Sequence, residues 1–134
     1  MIRKFYEYFI RKIDEVEMEN AINILNSKER NIFMSQSKYD KLHSLNVYKE
    51  VKDLGLPQIY LKLALLHDNG KDSAFFMTRT LHKLGFKTRL REHMSIGSMR
   101  LLGINDELAN LILIHHDENV DENMKKFQGV DDAN

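Results

Sequence analysis

The stretch Gly55–Gly70, GLPQIYLKLALLHDNG, carries its own punctuation. Gly55 suits the left-handed position that ends a preceding helix, and Pro57, with its φ already set, suits the first turn of the next. From Pro57 to His67 the residues Ile59, Leu61, Leu63, Ala64, Leu65 and Leu66 leave almost no polar face. A helix that is apolar nearly all round is a buried one. Asn69-Gly70 then breaks the run, so the stretch predicts a central helix with the polar pair His67-Asp68 at its end.

The flanks extend the same pattern. Ser37-Lys38-Tyr39-Asp40 has the form of a capping box, with a hydroxyl and a carboxylate spaced to serve free amides at a helix start. The helix it opens carries Leu42, Leu45, Val47, Tyr48, Val51 and Leu54 as an apolar stripe. Upstream, Ile2, Phe5, Tyr6, Phe9, Ile13 and Val16 recur at helical spacing and predict a first helix. Downstream, helices are expected over Ser73–Leu84, Arg89–Leu102 and Asp106–His116, stopped by Gly85 and Gly103 and capped, for the last, by Asn105. Val120, Met124 and Phe127 predict one short further helix in an otherwise polar segment. One proline and six glycines in 134 residues, with no alternating apolar runs, complete the expectation of an all-α, single-domain helical bundle.

Bulk properties narrow the function classes. Lys plus Arg equals Asp plus Glu, 20 against 20, so no overall field draws the chain to nucleic acid or to an anionic membrane. Absence of cysteine removes disulfides and thiolate metal sites and agrees with a reducing compartment. The N-terminal residues are charged every few positions and show neither a signal peptide nor a membrane span. A soluble, cytoplasmic protein is expected.

The chemistry lies in the histidines. His43, His67, His93 and His115 are separated by 24, 26 and 22 residues, enough to leave one helix of a bundle and enter the next. His116 doubles the last of them, and His82 reads as an ordinary structural histidine. An unpaired Asp68 at the end of a buried helix would cost several kcal/mol of desolvation; a cation removes that cost. Imidazoles with a bridging carboxylate suit a divalent ion such as Mn, Fe, Co, Ni or Zn.

These elements, taken in order, resemble the HD-domain metal-dependent phosphohydrolases. The resemblance is carried by His43 in KLHSLNVY, His67-Asp68 in LLHDNGK, His93 in EHMSIGSMRLLG, the pair His115-His116 in LILIHHDE, and Asp131 in FQGVDDAN. It spans about Asp40 to Asn134, and it implies a metal-binding core over 37–134 behind an N-terminal helical segment, 1–36. Asn69 departs from it, since that position is commonly small and apolar. The resemblance implies one metal on His43, His67, Asp68 and Asp131, with Asp132 as the alternative carboxylate. Asp68 would bridge to a second metal on His93, His115 and His116, and one or two ions are expected.

The implied reaction is hydrolysis of a phosphoester of a nucleotide or another small phosphorylated compound by metal-activated water, with Asp68 and Lys71 as the catalytic pair. Lys71 would meet a phosphate oxygen as a point charge. Arg89, Arg91 and Arg100 are candidates for a phosphate clamp, Asp72 for orienting Lys71 or acting as an acid, and Asp117 and Glu118 for orienting the imidazoles. Gly97, one turn beyond His93, suits a close helix approach. Two other readings share the site: a non-catalytic nucleotide-sensing or regulatory module, and a di-iron oxygenase of the same fold.

Overall fold

A computed structural model of the protein describes residues 14–70 and 86–134, the stretch 86–93 as backbone only. Among these are seven helices and no strand. They are α1 (Glu15–Ile22), α2 (Ser27–Met34), α3 (Lys38–Asp53), α4 (Gln58–Leu66), α5 (Phe86–Leu101), α6 (Asp106–Ile114) and α7 (Glu122–Ala133). The all-helical bundle expected from the sequence is what forms. The helices expected over Ile2–Val16 and Ser73–Leu84 fall wholly or mostly outside the described residues. Val16, the one member of the first stripe that is described, is 71% exposed on α1.

Local chemistry starts and stops each element. The Ser37 hydroxyl accepts from the Asp40 amide at 3.2 Å and lies 2.9 Å from the Asp40 carboxylate, opening α3 as expected. Asn105 caps α6 by accepting from Leu108, and Asp121 caps α7 by accepting from Met124. Gly55 and Gly103 take positive φ, 73° and 80°, where a side chain would be strained. Pro57 differs from expectation by one position: its ψ of 154° is extended, so it precedes α4 as the capping residue. The last helix also runs further than its apolar residues suggested. It reaches Ala133, so Asp131 sits inside a helical turn.

Helix α2 is absent from the sequence-based expectation, although Asn26-Ser27-Lys28-Glu29 is a capping box. The Asn26 side chain accepts from the Glu29 amide at 2.8 Å, and Glu29 accepts from the Asn26 amide at 2.9 Å. Glu29 is fully buried and also binds Lys62 of α4 and Asn105 before α6, both at 3.0 Å. One carboxylate thus ties three segments.

Helix α4 is the centre. It packs on α2, α3 and α6, while α3 also meets α1 and α7, and α5 pairs with α6. Leu63, Ala64, Leu65 and Leu66 have no exposed surface, as the all-round apolar pattern requires. Each buried leucine contributes roughly 1.5–3 kcal/mol relative to an exposed one. Phe33, Val47, Val51, Leu101, Leu108, Ile112 and Phe127 close the core around them. The C-terminal end of α4 is therefore held rigidly in the middle of the bundle.

Candidate metal centre

His67 caps the C-terminus of α4 and Asp68 follows it, so both project where the apolar helix stops. His43 comes from the second turn of α3, and Asp131 from the last turns of α7. The four converge. His67 Nε2 lies 3.1 Å from Asp68 Oδ2 and 3.0 Å from Asp131 Oδ1, and His43 Nε2 lies 3.4 and 3.1 Å from the same two oxygens. One ligand atom from each residue falls within 4.8 Å of all the others. His67 and Asp68 are buried, and the side chains of His43 and Asp131 are 13% and 12% exposed.

A second group stands beside the first. His115 caps the end of α6, His116 follows, and the two together with Asp131 again bring ligand atoms within 4.8 Å. Asp131 is common to both groups. The rings form a continuous row, with centroids 5.4 Å apart for His43 and His67, 5.5 Å for His67 and His115, and 4.1 Å for His115 and His116. Phe127, one turn before Asp131, walls the row with its ring 5.5 Å from that of His67. Outside the row lies a cleft of about 190 Å³ lined by His115, His116, Asp117, Glu118, Gln128, Asp131 and Asp132.

The donor set fits a divalent cation. His67 Nδ1 meets the Ala64 carbonyl at 2.9 Å, and His115 Nδ1 meets the Ile112 carbonyl. A carbonyl only accepts, so in both rings Nδ1 carries a proton and Nε2 is the available ligand atom. Anchoring a histidine by its second nitrogen is the usual support for a metal-ligating imidazole. His115 Nε2 is moreover buried with no hydrogen-bond partner. Such an atom costs roughly 1–3 kcal/mol, and a cation would satisfy it.

Electrostatics divide the two buried histidines. Burial pushes His67 down, but the charges of Asp68 and Asp131 and their hydrogen bonds outweigh it and hold its pKa well above the ordinary value. Burial, joined by the charges on His67 and His116, pushes His115 down to about 4 against the opposing pull of Asp68 and the Ile112 carbonyl. Asp131 is held well below the usual carboxylate range: burial raises it, and the charge of His67 with hydrogen bonds from His43 and His67 more than reverses that. His115 is thus neutral near pH 7, with a lone pair ready on Nε2.

Asn69, the departure noted in the sequence, has a role. Its buried side-chain nitrogen donates to the Leu66 carbonyl at 2.7 Å and the Gly97 carbonyl at 3.2 Å, and its backbone carbonyl accepts from Arg100. A Cβ on Gly97 would meet the Asn69 amide nitrogen at 3.1 Å and the Gly70 nitrogen at 3.3 Å. The expected close approach at Gly97 is real, and Asn69 is what it approaches. Position 93 shares the Gly97 face of α5, one turn earlier. The His93 side chain lies outside the described residues, as do Lys71, Asp72, His82 and the side chains of Arg89 and Arg91.

Asp117, Glu118 and Asp132 are exposed on the rim of the cleft. Asp131, and not Asp132, joins the histidines. Sequence reasoning missed Gln128, whose amide bonds the carbonyls of His115 and Asp117. Its signal was position: Gln128 precedes Asp131 by three residues and shares its helix face.

The fold and site define an all-helical protein with a buried histidine and aspartate cluster able to hold a metal ion. Comparison of the chain with protein-family models, curated proteins and solved structures yields no match. Among the described residues, no helix is long and apolar enough to cross a membrane.

Proposed function

We propose that the protein is a metal-dependent phosphohydrolase acting on a nucleotide or another small phosphorylated compound. The observation that carries this reading is the convergence of His43, His67, Asp68 and Asp131, from three helices, within 4.8 Å. Their order along the chain, with the His67-Asp68 pair closing a buried helix, is the order of the HD-domain phosphohydrolases that the sequence resembles.

His43, His67, Asp68 and Asp131 would hold one divalent cation, and His115, His116 and Asp131 would hold a second; Asp68 and His93 are the further ligands the resemblance implies for it. Cations so held supply an acidified water and positive charge at phosphorus. The protein's residues do the rest. Asp68, buried and set against two imidazoles, keeps its carboxylate oriented. His67 and His115 are locked through Nδ1, so neither ring can turn its ligand nitrogen away. Phe127 excludes water from the inner side of the row. Lys71, three residues beyond Asp68, is assigned the contact to a phosphate oxygen. The cleft beside His116 suits a phosphoryl group by volume, and Asp117, Glu118 and Asp132 make its rim acidic, which favours a substrate carried together with its cation.

Purified protein supplied with Mn, Co or Ni is expected to release phosphate from some member of a nucleotide panel. His67→Ala and Asp68→Ala should each abolish that release. Undiminished turnover in both variants would refute the site. Stabilisation by a nucleotide without turnover would select a sensing module instead, and oxygen-dependent turnover with bound iron would select an oxygenase.

A further inference from the structure

Gln128 is half-buried on α7, one turn before Asp131. Its side-chain nitrogen donates to the His115 carbonyl at 3.2 Å and to the Asp117 carbonyl at 2.8 Å. Both partners are acceptors, so the amide must present its nitrogen to them and its oxygen elsewhere. The two carbonyls flank His116 and belong to the turn that ends α6, where helical carbonyls lack partners within their own helix. The turn is tied back to α6 by the Asp117 amide on the Ile114 carbonyl at 2.9 Å and by His115 Nδ1 on the Ile112 carbonyl. Gln128 ties the backbone on both sides of His116 to α7.

The second group of ligand atoms spans this junction. His115 and His116 come from the α6 turn, and Asp131 comes from α7. The first group is differently placed: His43, His67 and Asp68 stand on α3 and the end of α4, and it is the His67 ring, edge to face with that of His115, that meets the turn Gln128 holds. Gln128 also lines the cleft onto which His115, His116 and Asp131 open.

We propose that Gln128 is a positioning residue that clamps the His115-His116 turn to the helix bearing Asp131 and so builds a second, cleft-facing cation subsite from His115, His116 and Asp131. The proposal rests on the metal-centre reading above and deepens it. Asp131 is then a shared ligand, and the cleft-facing ion depends on a hydrogen-bonded clamp that the inner ion does not need. His115 contributes a buried Nε2 that has no other partner, and His116 contributes an exposed ring through which the ion exchanges with solvent or arrives with substrate.

The test is a calorimetric titration of metal-free full-length protein with Mn(II), with wild type, Gln128→Met, Gln128→Asn and His116→Ala compared. Methionine keeps the side chain's length and neutrality without its donors, and asparagine keeps the amide but withdraws it by one methylene. Wild type is expected to bind two equivalents. Both Gln128 variants should keep the first within about threefold and weaken the second by about tenfold or more, the usual cost of losing a residue that orients a ligand. His116→Ala should weaken the same equivalent. A purely structural role would weaken both equivalents together, and that result overturns the proposal. So does an unchanged second equivalent in both Gln128 variants, or a wild type that binds only one ion; each leaves the inner site standing. A wild type that binds no ion overturns the metal-centre reading itself.

Discussion

His67 and His115 meet edge to face with ring centroids 5.5 Å apart, and each closes its helix with Nδ1 bonded to the carbonyl three residues behind. Equal in local geometry, they are opposite in proton affinity. His67 faces two carboxylates and is held up, while His115 faces burial and two other imidazoles and is pushed down to about 4. The helix end sets the ring; the neighbours set the charge.

The pH dependence of the metal-free protein follows. His115 has a folded pKa below its unfolded value, so between about pH 6.5 and about 4 the unfolded chain takes up a proton that the folded one refuses. Stability should fall as pH drops through that window, by on the order of 3 kcal/mol from this group. His67 works the other way: its raised pKa contributes stability fully present below about 6.5 and lost as pH rises through the folded value. Urea unfolding across this range should show a shallower acid loss for His115→Gln than for wild type. Identical slopes would count against the assignment.

Metal should stabilise the fold. Placing Mn or Co at 100 times its dissociation constant on protein stripped with chelator is expected to add about 2.7 kcal/mol, a rise in melting temperature of about 10 °C for a chain of this size. Asp131→Asn removes a carboxylate common to both ligand groups and should erase most of that rise. A full shift in the variant would show that Asp131 is not a ligand.

Glu29 anchors the other side of α4. Glu29→Ala leaves Lys62 and Asn105 without their buried partner and should cost about 2–4 kcal/mol; Glu29→Gln, which keeps part of the hydrogen bonding, should cost less. Burial alone would raise the Glu29 pKa, but hydrogen bonds from the Asn26 amide, Asn105 and Lys62, with the charge of Lys62, hold it below its ordinary value. Its contribution is therefore present above about pH 4.5 and lost as pH falls through the lowered folded value. Denaturation midpoints of the three proteins at neutral and acid pH check both the size and the sign.

Two helical glycines should respond in opposite directions. A Cβ at Gly129 meets nothing within 4 Å, so Gly129→Ala should stabilise α7 by about 1 kcal/mol through helix propensity. At Gly97 the same propensity gain is opposed by contacts of 3.1 Å to the doubly bonded Asn69 amide and 3.3 Å to the Gly70 backbone. Backbone cannot swing aside, so Gly97→Ala should be net destabilising by about 1 kcal/mol. Thermal melts of the pair give the comparison, and a stabilised Gly97→Ala would mean that α5 is free to back away.

Much of the fold was legible because it is local. The Ser37 and Asn105 caps, the Gly55 and Gly103 stops and the all-round apolar pattern of α4 are short-range signals, and each appears where it was read. Helix α2 escaped notice because its four-residue cap, Asn26 to Glu29, leads into a mostly polar segment whose single fully buried apolar side chain is Phe33. The site was half legible. Histidine spacing named candidate ligands that helices could bring together, but Gln128 acts through the carbonyls of the α6 turn and Asn69 through that of Gly97, contacts that only packing makes.

What the sequence determined by itself was the all-helical class, the helix boundaries at Ser37, Gly55, Gly103 and Asn105, and the chemical kind of each candidate ligand, since periodicity, capping and side-chain type are properties of neighbours along the chain. The tertiary structure alone decided that Asp131 stands between His43 and His67, 88 and 64 residues away, that it also belongs to the His115-His116 group, and that His67 and His115 differ in charge. Those outcomes depend on distances across the bundle and on burial. Both arise only when the helices pack.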